Sequence, residues 1–156
     1  MLKYFLISLF CLFIPDNKVK ASDFIDKGHY IIDLKLKLEW LKCSIGQQWI
    51  NNRCEGKPIK LNMIEADEIK ILVGEKLGGV WRLPNRKELE SLVCKECKIT
   101  KINSVIFPDT PSEPFWTSQR NWWSPKFFWS VNFFTGHSYG RFVPEKRLFV
   151  RLVRNR

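Results

Sequence analysis

Four of the five cysteines stand in two pairs, and their spacing limits the chemistry they can do. Cys43 and Cys54 bracket ten residues, while Cys94-Lys95-Glu96-Cys97 is a tight pair. A zinc site would use all four as thiolates, but its ligand pairs are separated by roughly two to four residues, which fits only the second pair. A redox-active Cys-x-x-Cys wants its first cysteine at a helix N-terminus, where the dipole lowers the thiol pKa. Cys94 instead follows the C-terminal end of a predicted helix. The remaining use is structural. Four cysteines allow three pairings, and Cys43–Cys54 with Cys94–Cys97 is favoured because each pair closes its own local segment. The longer bridge would contribute about 2–3 kcal/mol.

Catalytic chemistry finds no comparable footing. His29 and His137 are the only histidines, and neither has a patterned Ser, Cys or Asp partner. Glu88 and Glu90 read as a capping residue and a solvated helix face. The expectation is a non-enzyme with no catalytic residue, no metal and no cofactor.

Binding chemistry is better provided for. In Arg120-Asn121-Trp122-Trp123-Ser124-Pro125-Lys126, two adjacent tryptophans on a loop cannot both reach a core. An exposed ring can stack on a sugar, and Arg120 and Lys126 would hold an anionic group beside it. The other reading is that both rings cover the sheet edge. A second basic group, Arg141, Lys146, Arg147, Arg151, Arg154 and Arg156, gathers near the C-terminus. Alternation along a strand would put Arg147 and Arg151 on one outward face, where they could grip sulfate or phosphate. Arg82, beside Trp81, reads as a structural hydrogen-bond hub in preference to a ligand contact.

These residues need elements to place them. Residues 31–40 alternate apolar and charged side chains, Ile32, Leu34, Leu36, Leu38 and Trp40 against Asp33, Lys35, Lys37 and Glu39, which predicts one strand with one buried face. Residues 62–77 read as a helix. Asn62 and Glu65 form a capping box, Ile64, Ile69, Leu72, Val73 and Leu77 an inward stripe, and Gly78-Gly79 the stop. A shorter helix follows Pro84, capped by Asn85 and Glu88, with Leu89, Leu92 and Val93 inward. Residues 98–114 read as a loop punctuated by prolines. Strands are predicted over 115–118, over 127–133 with Trp129, Val131 and Phe133 on one face, and over 137–141 after a Thr135-Gly136 turn. A last strand over 147–154 has Leu148, Val150 and Leu152 inward and Arg151 outward. Strand, two helices, then strands implies α+β, two helices packed on antiparallel sheet.

Charge and the N-terminus bear on partners. The chain carries 26 Lys and Arg against 16 Asp and Glu, a formal +10. Lys3 followed by an apolar run over residues 4–14, too short to span a bilayer, reads as a signal peptide ending at Val19-Lys20-Ala21. Cleavage after Ala21 would discard Cys11, which Phe10 precedes where a lipobox needs a small residue. Residues 22–156 would then form a single domain with 23 basic and 15 acidic side chains. No later segment is long enough to cross a membrane. The expectation is an exported protein, periplasmic or at the cell surface, with a basic surface suited to an acidic glycan or an envelope polyanion. A protein partner in the envelope is the alternative, and no specific nucleic-acid signature is present.

The motifs taken in order resemble a known family. They are Cys43-Ser44-Ile45-Gly46-Gln47 through Trp49 to Cys54, Trp81-Arg82-Leu83-Pro84-Asn85, Phe107-Pro108-Asp109-Thr110-Pro111, Trp116-Thr117-Ser118, Trp129-Ser130-Val131-Asn132-Phe133 with Gly136, and Val150-Arg151-Leu152-Val153-Arg154. Together they cover about residues 30–154 and resemble the C-terminal domain of the Legionella collagen-like adhesin, a domain of many bacterial exported proteins. The resemblance implies a C-type-lectin-like architecture with paired N- and C-terminal strands, and a link to sulfated glycosaminoglycans. The chain lacks a collagen-like Gly-x-y tract, so multivalent attachment by that route is not implied. It also departs early: Lys37-Leu38-Glu39-Trp40 stands where the family carries a Thr-Gly-Leu-like turn, so the first strand is expected to be longer or differently turned.

Calcium-dependent sugar binding needs clustered hard oxygen ligands. Here Phe115 follows Glu113-Pro114 where a lectin has Asn, and Trp129-Ser130-Val131-Asn132 lacks the adjacent Asp. Formylglycine-generating enzymes share a related architecture and use cysteines near copper, but nothing around Cys94 and Cys97 would settle that ion.

Overall fold

The computed structural model of the chain describes residues 23–156. The signal-peptide expectation, its cleavage point and Cys11 lie outside the described residues. In chain order come β1 (Phe24–Asp26), β2 (Tyr30–Asp33), β3 (Leu38–Leu41), β4 (Gln48–Ile50), β5 (Arg53–Glu55) and β6 (Lys60–Leu61). Two helices follow, α1 (Met63–Leu77) and α2 (Arg86–Glu90). The chain closes with β7 (Pro114–Arg120), β8 (Phe128–Asn132), β9 (His137–Phe142), β10 (Leu148–Phe149) and β11 (Val153–Asn155). The fold is α+β.

The strands form a four-stranded sheet in the order β1-β2-β3-β11, a five-stranded sheet in the order β6-β10-β7-β8-β9, and the β4–β5 hairpin. All pairings are antiparallel except β10 with β7. Both ends of the described chain therefore lie in one sheet. The clasp differs in detail from the expectation: β11 bonds to β3, with Val153 opposite Trp40, while β1 bonds to β2.

Residues 31–40 are a correction. They form a hairpin, with the chain reversing over residues 34–37. The buried Asp33 carboxylate accepts from Lys35 N at 3.0 Å and Leu36 N at 2.9 Å, and Lys37 takes φ 55°. Leu34 and Leu36 are exposed. The alternation misled because the two arms of a hairpin share one period and a four-residue turn keeps it in phase. Lys37 turns the chain in a left-handed conformation that suits glycine better.

Both helix starts are built as the sequence predicts. Asn62 Oδ1 accepts from Glu65 N at 2.9 Å while Glu65 Oε2 accepts from Asn62 N at 2.9 Å. Asn85 and Glu88 repeat the exchange at 2.9 and 2.7 Å. Such caps satisfy amide donors that the first turn leaves free. The predicted inward stripe of α1 is only partly inward: Met63 and Ala66 are buried and Ile69 and Val73 half-buried, whereas Ile64, Leu72 and Leu77 are exposed. The helix packs its first turns and leaves its second half against a groove.

The apolar interior divides into two clusters. One holds Ile31, Trp40, Leu89, Phe107, Phe115, Val131, Phe149 and Val153. The other holds Leu41, Met63, Ala66, Trp81, Trp116, Phe128, Leu148 and Leu152. Chain neighbours such as Phe115 and Trp116, or Leu152 and Val153, fall in opposite clusters, as pleated strands covered on both faces require. Trp116 spans its side by donating to Leu61 O at 2.7 Å. Trp129 lies over Gly140, where any Cβ would come within 2.8 Å of the indole, and Arg86 covers it at 4.3 Å. Gly136 supplies the positive φ of 74° that the β8–β9 turn needs.

The disulfides are Cys43–Cys54 and Cys94–Cys97. The first ties together the base of the β4–β5 hairpin. The second closes the turn after α2, where Lys101 Nζ donates to Cys97 O at 2.7 Å.

Candidate functional site

The tip joining β7 to β8 collects four of the sequence-predicted contact residues. Its geometry starts from Asn121, which the sequence reading passed over. Asn121 Oδ1 accepts from Trp123 N at 3.0 Å, an Asx turn, and Nδ2 reaches Gly140 O on β9 at 2.8 Å. Asn121 N donates to Phe127 O at 2.8 Å and Phe127 N to Ser124 O at 2.9 Å. Arg120 crosses the loop to donate to Pro125 O at 3.0 Å. The loop is braced by its backbone and Asn121, and neither indole is used to hold it.

Trp122 and Trp123 are 70% and 68% exposed. They stack on each other with ring centroids 4.1 Å apart and planes 30° apart. Neither covers the sheet edge. Arg120 sits over Phe128 at 4.5 Å and Lys126 over Phe127 at 5.0 Å. Among the described residues neither cation has a carboxylate partner. Their charge is therefore free to meet an anion. On the inner side Arg120 also borders a groove of about 610 Å³ floored by Met63, Leu83 and Phe128.

The C-terminal basic group does not assemble as expected. The predicted strand over 147–154 breaks: β10 ends at Phe149, β11 begins at Val153, and residues 150–152 cross between sheets fully buried. Arg151 is 0% exposed, so it shares no outward face with Arg147. Its guanidinium donates to Leu41 O at 2.7 Å, to Lys42 O, and to Thr110 Oγ1 at 2.6 Å, and lies 4.8 Å from the Phe107 ring. Burial pushes its pKa down to about 9. The physical reason is that a strand crossing leaves carbonyls and hydroxyls pointing inward, and one planar fork of donors satisfies several at once. The signal was present: Val150-Arg151-Leu152-Val153 is apolar on both sides of the arginine. Arg147 pairs with Glu65 at 2.9 Å, and Arg154 with Glu39 at 2.5 Å. Both are neutralised within the fold.

Arg82 is the hub that its motif implied. It binds Glu88 through both carboxylate oxygens at 2.8 Å and Asn155 Oδ1 at 2.7 Å, and its backbone pairs with Val153. Burial raises the Glu88 pKa, but the Arg82 guanidinium and the Asn85 amide outweigh it and hold the carboxyl below its ordinary value. Pro84 O accepts from Ser118 N at 2.8 Å, tying this motif to β7. Glu113 is paired with Lys60. Among the described residues no group of three or more His, Cys, Asp and Glu could hold a metal ion. No described helix is long and apolar enough to cross a membrane.

Residues 29–154 match the family described as the Lcl C-terminal domain. The chain belongs to that family. No curated protein and no solved structure matches it. The matched span of this Lcl C-terminal domain opens beside β2 and closes in β11, so it includes both disulfides, the Arg82 hub, the Arg151 crossing and the tryptophan tip.

Proposed function

We propose that this Lcl C-terminal domain is an exported, non-catalytic binding module of C-type-lectin-like build that recognises an acidic or sulfated glycan through the β7–β8 tip. The observation that carries the reading is the exposed, mutually stacked Trp122–Trp123 pair on a loop held by other groups. Two indoles kept in water have lost the burial that ordinarily stabilises such side chains by about 2 kcal/mol each. A rigid apolar plane with cations at its margin suits a sugar ring carrying a sulfate or carboxylate. Here the ring stacks on indole while Arg120 and Lys126, free of carboxylates, take the anion. The two disulfides support export.

The test is retention on a heparin column developed with a salt gradient. The protein should bind at low ionic strength and elute early as salt rises, because exposed charges are screened. Trp122→Ala with Trp123→Ala should weaken retention at every salt concentration. Arg120→Ala with Lys126→Ala should flatten the salt dependence. Failure of the unaltered protein to bind at low salt would remove the glycan reading. One dominant crosslinked protein partner in intact cells would then favour an envelope protein acting by protein contacts.

A further inference from the structure

The second half of α1 carries an apolar face that the fold leaves uncovered. Ile69, Leu72 and Val73 look across a groove of about 560 Å³ at Leu41, Ile45 and Trp49. Leu72 is 56% exposed, although its spacing belongs to the helix's apolar stripe. The opposite wall is firmly built. Cys43–Cys54 closes its base, and Gln47 Oε1 accepts from Ser44 N at 3.2 Å while its amide reaches Cys54 O at 3.3 Å. The Lys42 ammonium lies 3.8 Å from the centre of the Trp49 ring and is itself paired with Asp26 at 2.6 Å. Gly46 takes φ 98°, and a Cβ there would meet Lys57 O at 2.6 Å, so the wall's curvature depends on glycine.

The rim decides what such a groove would take. Among the described residues its lining includes no carboxylate. It does include Lys76, whose ammonium has no carboxylate partner among the described residues, and His29. One compact point charge at the mouth of an apolar groove calls for a single monovalent anion on an apolar body. A phosphate or sulfate group would ask for several donors or an arginine fork, and no arginine lines the groove. The volume falls within the range that holds one small ligand. The neighbouring 610 Å³ groove makes the contrast, since it mixes Asp67, Lys70, Arg82, Arg120 and Glu145.

We propose that the groove between α1 and the Cys43–Cys54 hairpin binds a single-chain aliphatic carboxylate, with the chain along Leu72 and Trp49 and the headgroup at Lys76. The site is separate from the tryptophan tip and stands without the glycan reading.

Calorimetric titration of the purified chain with saturated fatty acids of increasing length tests it. Binding should be saturable at one per chain and tighten about fourfold with each added methylene until the groove is full, then level off. Leu72→Glu, at an exposed position, should leave the melting curve unchanged and weaken binding about tenfold or more. Lys76→Glu should weaken a fatty acid about two- to fivefold and leave the alcohol of equal length unaffected. Absence of saturable binding would overturn the proposal, as would binding indifferent to Leu72→Glu. Sedimentation showing a dimer that Leu72→Glu dissociates would overturn it too, by making a second copy the occupant.

Discussion

The crossing at Arg151 and the tip at Trp122–Trp123 exchange the usual places of charge and ring. At the crossing a guanidinium is wholly buried with no carboxylate beside it, held by two backbone carbonyls and the Thr110 hydroxyl. At the tip two indoles stand in water on a loop that does not need them. The first arrangement is explicable by folding alone, because the crossing would otherwise bury unpaired oxygens. The second has no such explanation within the chain. A buried charge whose two terminal guanidinium nitrogens bind carbonyls and hydroxyls marks structure here, although its Nε has no partner among the described residues, and exposed rings with unpaired cations mark the surface that offers contact.

The comparison breaks first at Arg151. Arg151→Ala would leave the buried Leu41 O and Lys42 O, and the half-buried Thr110 Oγ1, without their donor. Each buried unpaired polar group costs about 1–3 kcal/mol, so a loss of about 3 kcal/mol or more is expected in chemical denaturation. Unchanged stability would mean that the crossing does not depend on the guanidinium. Trp122→Ala and Trp123→Ala together should change stability by no more than about 0.5 kcal/mol, because exposed sites away from special contacts usually do no more. A large destabilisation there would show that the pair is structural and undo the contrast.

The disulfides sharpen the structural half. They span sequence separations of 11 and 3. In the loop-entropy account, Cys43→Ser with Cys54→Ser costs about 3 kcal/mol and Cys94→Ser with Cys97→Ser about 2 kcal/mol. The first variant should also loosen the wall beside Trp49, and the second should leave that wall intact. Denaturation midpoints of the two variants rank them. The reverse order would mean that local packing around Cys94 and Cys97, including the Lys101 contact, outweighs loop length.

What the sequence made legible follows from how local each signal is. Both capping boxes, the Cys94–Cys97 bridge and the Gly136 turn are written within a few residues of where they act, and the Cys43–Cys54 bridge and the Glu88 half of the Arg82 hub within about a dozen. The brace at Asn121 was passed over, because half of it is a bond to Gly140 on another strand. Residues 31–40 hid their turn because the alternation runs unbroken through it, and only the chain's return past Leu34 exposes the hairpin. Arg151 was misplaced for a related reason. Alternation assumes that one sheet continues, but residues 150–152 leave one sheet for another, and both sides become interior. The α1 stripe named suitable residues without saying how far the rest of the fold would reach to cover them. The cover over α1 is a question of how distant segments meet, which no single stretch of chain answers, whereas at Arg151 the apolar residues on both sides were a local sign of burial.

Between the buried and the exposed extremes lies Arg82, half-buried and bonded to Glu88 at two points. Its effect should be smaller than those of Arg151 and the disulfides, and it is the one that depends on pH. The folded Glu88 carboxyl is held below its ordinary value of 4.5. Its stabilising contribution is therefore complete above that value and is lost as pH falls through the lower, folded one. Because both partners keep some contact with water, the expected size is about 1 kcal/mol or less. Glu88→Gln should retain a weaker capping exchange with Asn85, lower stability at pH 7, and narrow its gap to the unaltered protein as the pH drops through the region below 4.5. Melting curves across that range measure the gap. A gap that stays constant would mean that Glu88 acts at Asn85 as a hydrogen-bond acceptor alone, with its charge contributing nothing to the Arg82 hub.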